Sequence, residues 1–69
     1  MEVVESALKH GVHPDDIEHA YRNAIFVHFE DGYQMIVGPS RSGLMLEIAL
    51  NNSNQIFHAM KARPKYLRK

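Results

Sequence analysis

The 69-residue chain has no cysteine, and its eight acids balance its eight bases to a formal charge of zero. Without cysteine there is no disulfide framework, no thiolate zinc site and no cysteine nucleophile. Long apolar runs are also missing, and the chain opens on Glu2 and Glu5 where a signal peptide is basic, so a cytoplasmic protein with no membrane partner is expected. A chain of this length supports one domain, over residues 1–69, whose core barely outweighs the ordering of its backbone. Assembly as a homo-oligomer or with a partner protein would cover apolar surface that the monomer leaves open.

A net charge of zero hides a segregation along the chain. Glu2, Glu5, Asp15, Asp16, Glu18, Glu30 and Asp31 all precede residue 32, whereas Arg41, Lys61, Arg63, Lys65, Arg68 and Lys69 follow residue 40 with only Glu47 against them. This predicts an acidic side and a basic side, with a basic C-terminal tail over residues 61–69. The plain alternative is two solvated ends.

Val3, Val4, Ala7 and Leu8 recur at helical spacing, with Gly11 as a left-handed stop after Lys9 and His10, which predicts a first helix ending near His10. A second helix is expected from Pro14. His13 serves as its N-cap, Asp15 and Asp16 complement its positive end, and Ile17, Ala20, Tyr21 and Ala24 form its apolar stripe. Beyond Asn23 the residues turn β-branched and aromatic. Strands are predicted over residues 25–30 and 33–37, joined by a tight turn at Asp31 and Gly32, then over 44–50 and 55–60. The alternation in the third strand puts Leu44, Leu46, Ile48 and Leu50 against the helices and Glu47 on the opposite face. The expected fold is α+β: two N-terminal helices packed on one face of a four-stranded antiparallel meander, the other face open.

Chemistry on that open face centres on His58. If Phe57 and Ala59 face the helices, His58 and Met60 face away from them, with Lys61 and Arg63 close behind. Cleavage of RNA needs a base for the ribose 2′-OH proton, cations for the phosphate and a proton donor for the leaving oxygen. Histidine titrates near neutral pH and can fill either proton role. Glu47 would orient the imidazole or accept a proton, and His28 would offer a second ring; the plain alternative for Glu47 is a solvent-facing strand residue. Arg41, Lys61, Lys65 and Tyr66 supply phosphate contacts and a ring for base stacking. His10 and His13 read as cap or surface residues, and no metal motif is present, because the histidines are scattered over different elements. No cofactor is expected.

The stretches ALKHGVHPDDIEHA, GPSRSGLMLEIAL and IFHAMKARPKYL resemble BrnT-type toxins of the RelE/ParE-like toxin–antitoxin superfamily, in order and spacing, from about Ala7 to Leu67. The resemblance implies a metal-independent endoribonuclease that cleaves mRNA, free or ribosome-bound, and so inhibits translation. It also implies a cognate DNA-binding antitoxin as partner, in a toxin–antitoxin hetero-oligomer. Two departures stand out. Members of that family begin with a strand ahead of the first helix, which this chain is expected to lack, and the family's arginine in the last strand falls on Met60, with a basic loop residue replaced by Leu44. Arg41, His58, Lys61 and Arg63 are the positions onto which its machinery carries over, Arg63 standing in for the charge missing at Met60. The alternative is a non-catalytic RNA- or protein-binding module of the same fold, including a gyrase-directed or degenerate toxin.

Overall fold

The computed structural model describes residues 1–68; Lys69, the end of the expected basic tail, lies outside the described residues. Five strands make one mixed sheet: β1 (Glu2–Val3), β2 (Phe26–Glu30), β3 (Tyr33–Pro39), β4 (Met45–Asn51) and β5 (Gln55–Lys61), in the order β1-β5-β4-β3-β2. One α-helix, α1 (Pro14–Arg22), crosses the sheet. Short 3₁₀ turns occupy Glu5–Leu8 and Pro64–Tyr66.

This corrects the expected fold at its N-terminus. The first helix does not form. Val3 and Val4 are β-branched and favour an extended backbone, and the segment before Gly11 is too short to sustain a helix on its own. The Glu2 and Val4 amides instead donate to the Asn54 and Ile56 carbonyls, so β1 lies parallel to β5. One 3₁₀ turn follows, and Gly11, at φ +80°, ends it. The sheet is therefore five-stranded and mixed, and the edge strand expected to be missing is present as this short β1.

α1 begins where its first residues dictate. His13 is extended and its Nδ1 accepts the Asp15 amide at 3.0 Å, Pro14 takes the first turn, and the Asn23 side chain donates to the His19 carbonyl at the other end. Ile17 and Ala20 are fully buried against Ile36, Leu46, Ile48, Ile56 and Ala59, with Ala7 closing the cluster. The approach is close at Gly38, where a Cβ would run into the Ala20 carbonyl oxygen. Leu44, expected in this core, is 48% exposed because it precedes β4 and lies beyond the helix.

Strands β2 to β5 pair antiparallel in chain order. A register shift between Ala49 and Leu50 leaves Phe57 without a cross-strand partner, between Ile56 and His58. That bulge moves Phe57 to the side away from α1, where it packs with Tyr33, Met35 and Ala49, against the expectation that it faces the helices. His58 lies across from Ala49 on that same side. Nor is this side open along its length. Arg63 is extended, as the residue before Pro64 must be, and the chain folds back so that Ala62 and Tyr66 are buried with Met35 and Val37. No helix among the described residues is long and apolar enough to cross a membrane.

Candidate functional site

β4 is interior to the sheet, and Glu47 stands on its side away from α1, across from Met60. Its side chain is completely buried. A carboxylate in that position must be matched by donors, and Arg63 supplies most of them. The Arg63 amide donates to Oε1 at 2.9 Å, Nε donates to Oε1 at 3.0 Å and Oε2 at 3.2 Å, and Nη2 donates to Oε2 at 2.7 Å. The plain reading of Glu47 as a solvent-facing residue is overturned by this burial.

His58 Nε2 lies 2.9 Å from the same Oε2. An ionised carboxylate only accepts, so Nε2 carries the hydrogen, and in the neutral ring Nδ1 keeps the lone pair. The His10 ring meets the His58 ring edge-on at 5.7 Å between centroids. Burial alone would push Glu47 up. The Arg63 side chain and amide, with His58, outweigh burial and hold the carboxyl at about 2, while the guanidinium is raised by the same contact. Glu47 is therefore a charged anchor through the neutral range. The proton-carrying group of the pair is His58.

A cavity of about 470 Å³ lies in front of this cluster. Tyr33, Phe57 and Tyr66 form aromatic walls, Ser6 comes from the first 3₁₀ turn, Lys9 is the residue that caps its end, and His58 and Arg63 present the polar side. Ser6 Oγ donates to the Phe57 carbonyl at 2.9 Å and ties the turn to the bulge. The fold thus brings an imidazole, two cationic groups and three aromatic rings, Tyr33 and Phe57 meeting edge-on, to one concave surface, the combination that suits a charged, planar ligand.

Of the residues singled out from sequence, Glu47, His58 and Arg63 are in direct contact. Tyr66 lines the same cavity, with the Arg63 guanidinium carbon 5.4 Å and Lys65 Nζ 5.0 Å from its ring centroid. Its carbonyl accepts from His28 Nε2 at 3.0 Å, which places His28 beside Tyr66. Lys61 and Arg41 lie elsewhere. Lys61 pairs across from Leu46 on the α1 side and lines a different hollow with His10 and Ser40. Arg41 is held at the start of α1, its Nε 2.9 Å from Asp16 and Nη1 3.6 Å from Asp15. Hydrogen bonds from the Arg41 side chain and amide keep Asp16 at about 2.

Lys9, Ser6, Tyr33 and Phe57 were not picked out from sequence, and His10 reads there as a helix cap. The signal for the first two was the valine pair at the end of β1 and just beyond it, since an extended start sends the next turn to the edge of β5. The bulge that carries Phe57 has no mark in the sequence. Comparison of the chain with protein-family models, with curated proteins and with solved structures returned no match.

Proposed function

We propose that the chain is the toxin of a toxin–antitoxin module of the RelE/BrnT-like kind, which cuts RNA at the His58–Glu47–Arg63 cluster and is neutralised by a cognate DNA-binding antitoxin. The observation that carries this reading is an imidazole locked by a buried carboxylate at the rim of an aromatic cavity. His58 Nδ1 takes the ribose 2′-OH proton, and the 2′-oxygen closes on phosphorus. The bond from phosphorus to the 5′-oxygen breaks, and that oxygen leaves with a proton from water at the open mouth. Products are a 2′,3′-cyclic phosphate and a 5′-hydroxyl end. Lys9 and the outer edge of Arg63 attract the phosphate, and Tyr33 or Phe57 stacks a base.

A second reading, an RNA- or protein-binding module without turnover, is favoured by one observation. Arg63 is matched by Glu47 and Arg41 by Asp15 and Asp16, while Lys61 is on the far side of the sheet, so few cations are left for a crowded transition state.

Induced expression separates the two. The enzyme reading expects growth arrest with loss of mRNA, and a His58→Ala chain, folded by circular dichroism, that cuts RNA about 10²–10⁴-fold more slowly. Arrest with intact mRNA supports the binding module. Cleavage at an unchanged rate by His58→Ala removes His58 from the mechanism.

A further inference from the structure

Of the five histidines in the chain, four have a ring nitrogen already engaged. His13 Nδ1 accepts the Asp15 amide, and His19 Nδ1 donates to the Pro39 carbonyl at 2.8 Å. His28 Nε2 donates to the Tyr66 carbonyl, and His58 Nε2 donates to Glu47. Among the described residues, only His10 has neither ring nitrogen in a hydrogen bond, and it is exposed. Its place is nevertheless fixed. Ala7 of the preceding turn is fully buried, the Val4 amide donates to the Ile56 carbonyl at 3.0 Å, and Ser6 Oγ is tied to the Phe57 carbonyl. The Gly11 amide closes the chain back on the Leu8 carbonyl at 3.1 Å. His10 is thereby set beside β5, with its ring edge-on to that of His58.

Cleavage at His58 requires a second proton transfer. In-line displacement puts the 2′-oxygen and the 5′-oxygen on opposite sides of phosphorus, so a ring that holds the 2′-OH proton does not also serve the leaving oxygen. That oxygen leaves poorly as an alkoxide, and water alone is a weak acid for it. The other proton-bearing groups at the cavity are unsuited. Arg63 is taken up by Glu47 and does not release its protons, and lysine and tyrosine give theirs up well above neutral pH. An imidazolium is matched to the task. We propose that His10 is the proton donor of the cleavage, supplying the leaving 5′-oxygen through the water at the mouth, an inference that rests on the ribonuclease reading. His58 Nδ1 takes the 2′-OH proton as the 2′-oxygen bonds to phosphorus. The bond from phosphorus to the 5′-oxygen breaks, that oxygen takes a proton from the water, and the protonated His10 ring restores it. His58 ends as an imidazolium against Glu47 and His10 as a neutral ring, so the protons balance. His10 also lines a second hollow of about 350 Å³, with Gly11, His13, Asp16, Ser40 and Lys61, and from this side bulk water returns its proton.

Changing the leaving atom separates proton donation from mere support of the His58 ring. An RNA that the natural chain cuts is compared with the same RNA carrying sulfur in place of the 5′-oxygen at that bond. A thiolate is a far weaker base than an alkoxide and leaves without a proton. His10→Gln, folded by circular dichroism, should cut the oxygen RNA about 10²–10⁴-fold more slowly than the natural chain, and the sulfur RNA at close to the natural rate. His58→Ala should be slow on both. Equal slowing of His10→Gln on the two RNAs makes His10 a support for the His58 ring and overturns the proposal. Cutting of the oxygen RNA by His10→Gln at the natural rate overturns it as well. Either result leaves the ribonuclease reading standing, whereas a natural chain that cuts no RNA overturns that reading and this inference with it.

Discussion

Replacing Glu47 by glutamine should convert an acid-sensitive protein into a less stable one whose stability falls less as the pH is lowered. The carboxyl is held at about 2 against an ordinary value of 4.5. That difference corresponds to about 3 kcal/mol, at about 1.4 kcal/mol for each tenfold change in acidity. Because the folded value is depressed, that stabilisation is fully present above pH 4.5 and is lost as pH falls toward about 2. A chain of 69 residues has about 3–10 kcal/mol in total at about 0.05–0.15 kcal/mol per residue, so this one group carries a large share. At pH 7, Glu47→Gln should melt about 12–24 °C below the natural protein, taking about 4–8 °C per kcal/mol. Its melting curve should converge on the natural one near pH 2. Glu47→Ala should do worse than Glu47→Gln, because it also removes the buried side chain that fills the space beneath Arg63. Thermal melts followed by circular dichroism between pH 2 and 7 provide the assay. Equal melting of Glu47→Gln and the natural protein at pH 7, or parallel pH dependence of the two, would refute the reasoning.

Gly38→Ala should destabilise by more than the usual small cost of adding a methyl group, since the new Cβ meets the Ala20 carbonyl and α1 has to lift off β3; an unchanged denaturation midpoint in urea would contradict this contact. Gly32→Val should also destabilise, because φ at that turn is +87° and a β-branched side chain is strained there; differential scanning calorimetry gives the comparison with the natural chain. Tyr66→Ala removes a buried ring from the second core and should cost about 3 kcal/mol, in the range for large aromatic truncations, read from chemical denaturation. Arg41→Ala should change stability by less than about 1 kcal/mol in the same experiment, as an exposed ion pair does.

The parts of the fold legible in the sequence are those with strong local signals. Pro14 with Asp15 and Asp16 marks the start of α1, and the Asp31-Gly32 turn and the alternation of Leu46, Glu47 and Ile48 mark β2, β3 and β4. The N-terminus misleads because Val3, Val4, Ala7 and Leu8 satisfy a helical spacing while the pairing that makes Glu2–Val3 a strand lies more than fifty residues away, at Gln55 and Ile56. Spacing is local, and this contact is not. The same limit applies to the site. His58, Glu47 and Arg63 can be proposed as neighbours from strand alternation, but that both Glu47 oxygens are taken up by Arg63 depends on the bend before Pro64. Arg41 and Lys61 look equivalent to Arg63 by charge alone. Only the packing of α1 and the face of β5 separate them from it.

The role given to His58 rests on one proton: Nε2–H donated to Glu47, with Nδ1 left to accept. Long-range proton–nitrogen correlation NMR of the histidine side chains above neutral pH reads this directly. The account predicts that His58 holds the Nε2–H tautomer, with an unprotonated Nδ1, and that Glu47→Gln leaves the ring a mixture of tautomers. A His58 ring protonated at Nδ1, or one averaging between tautomers in the natural protein as freely as an exposed histidine, would contradict it.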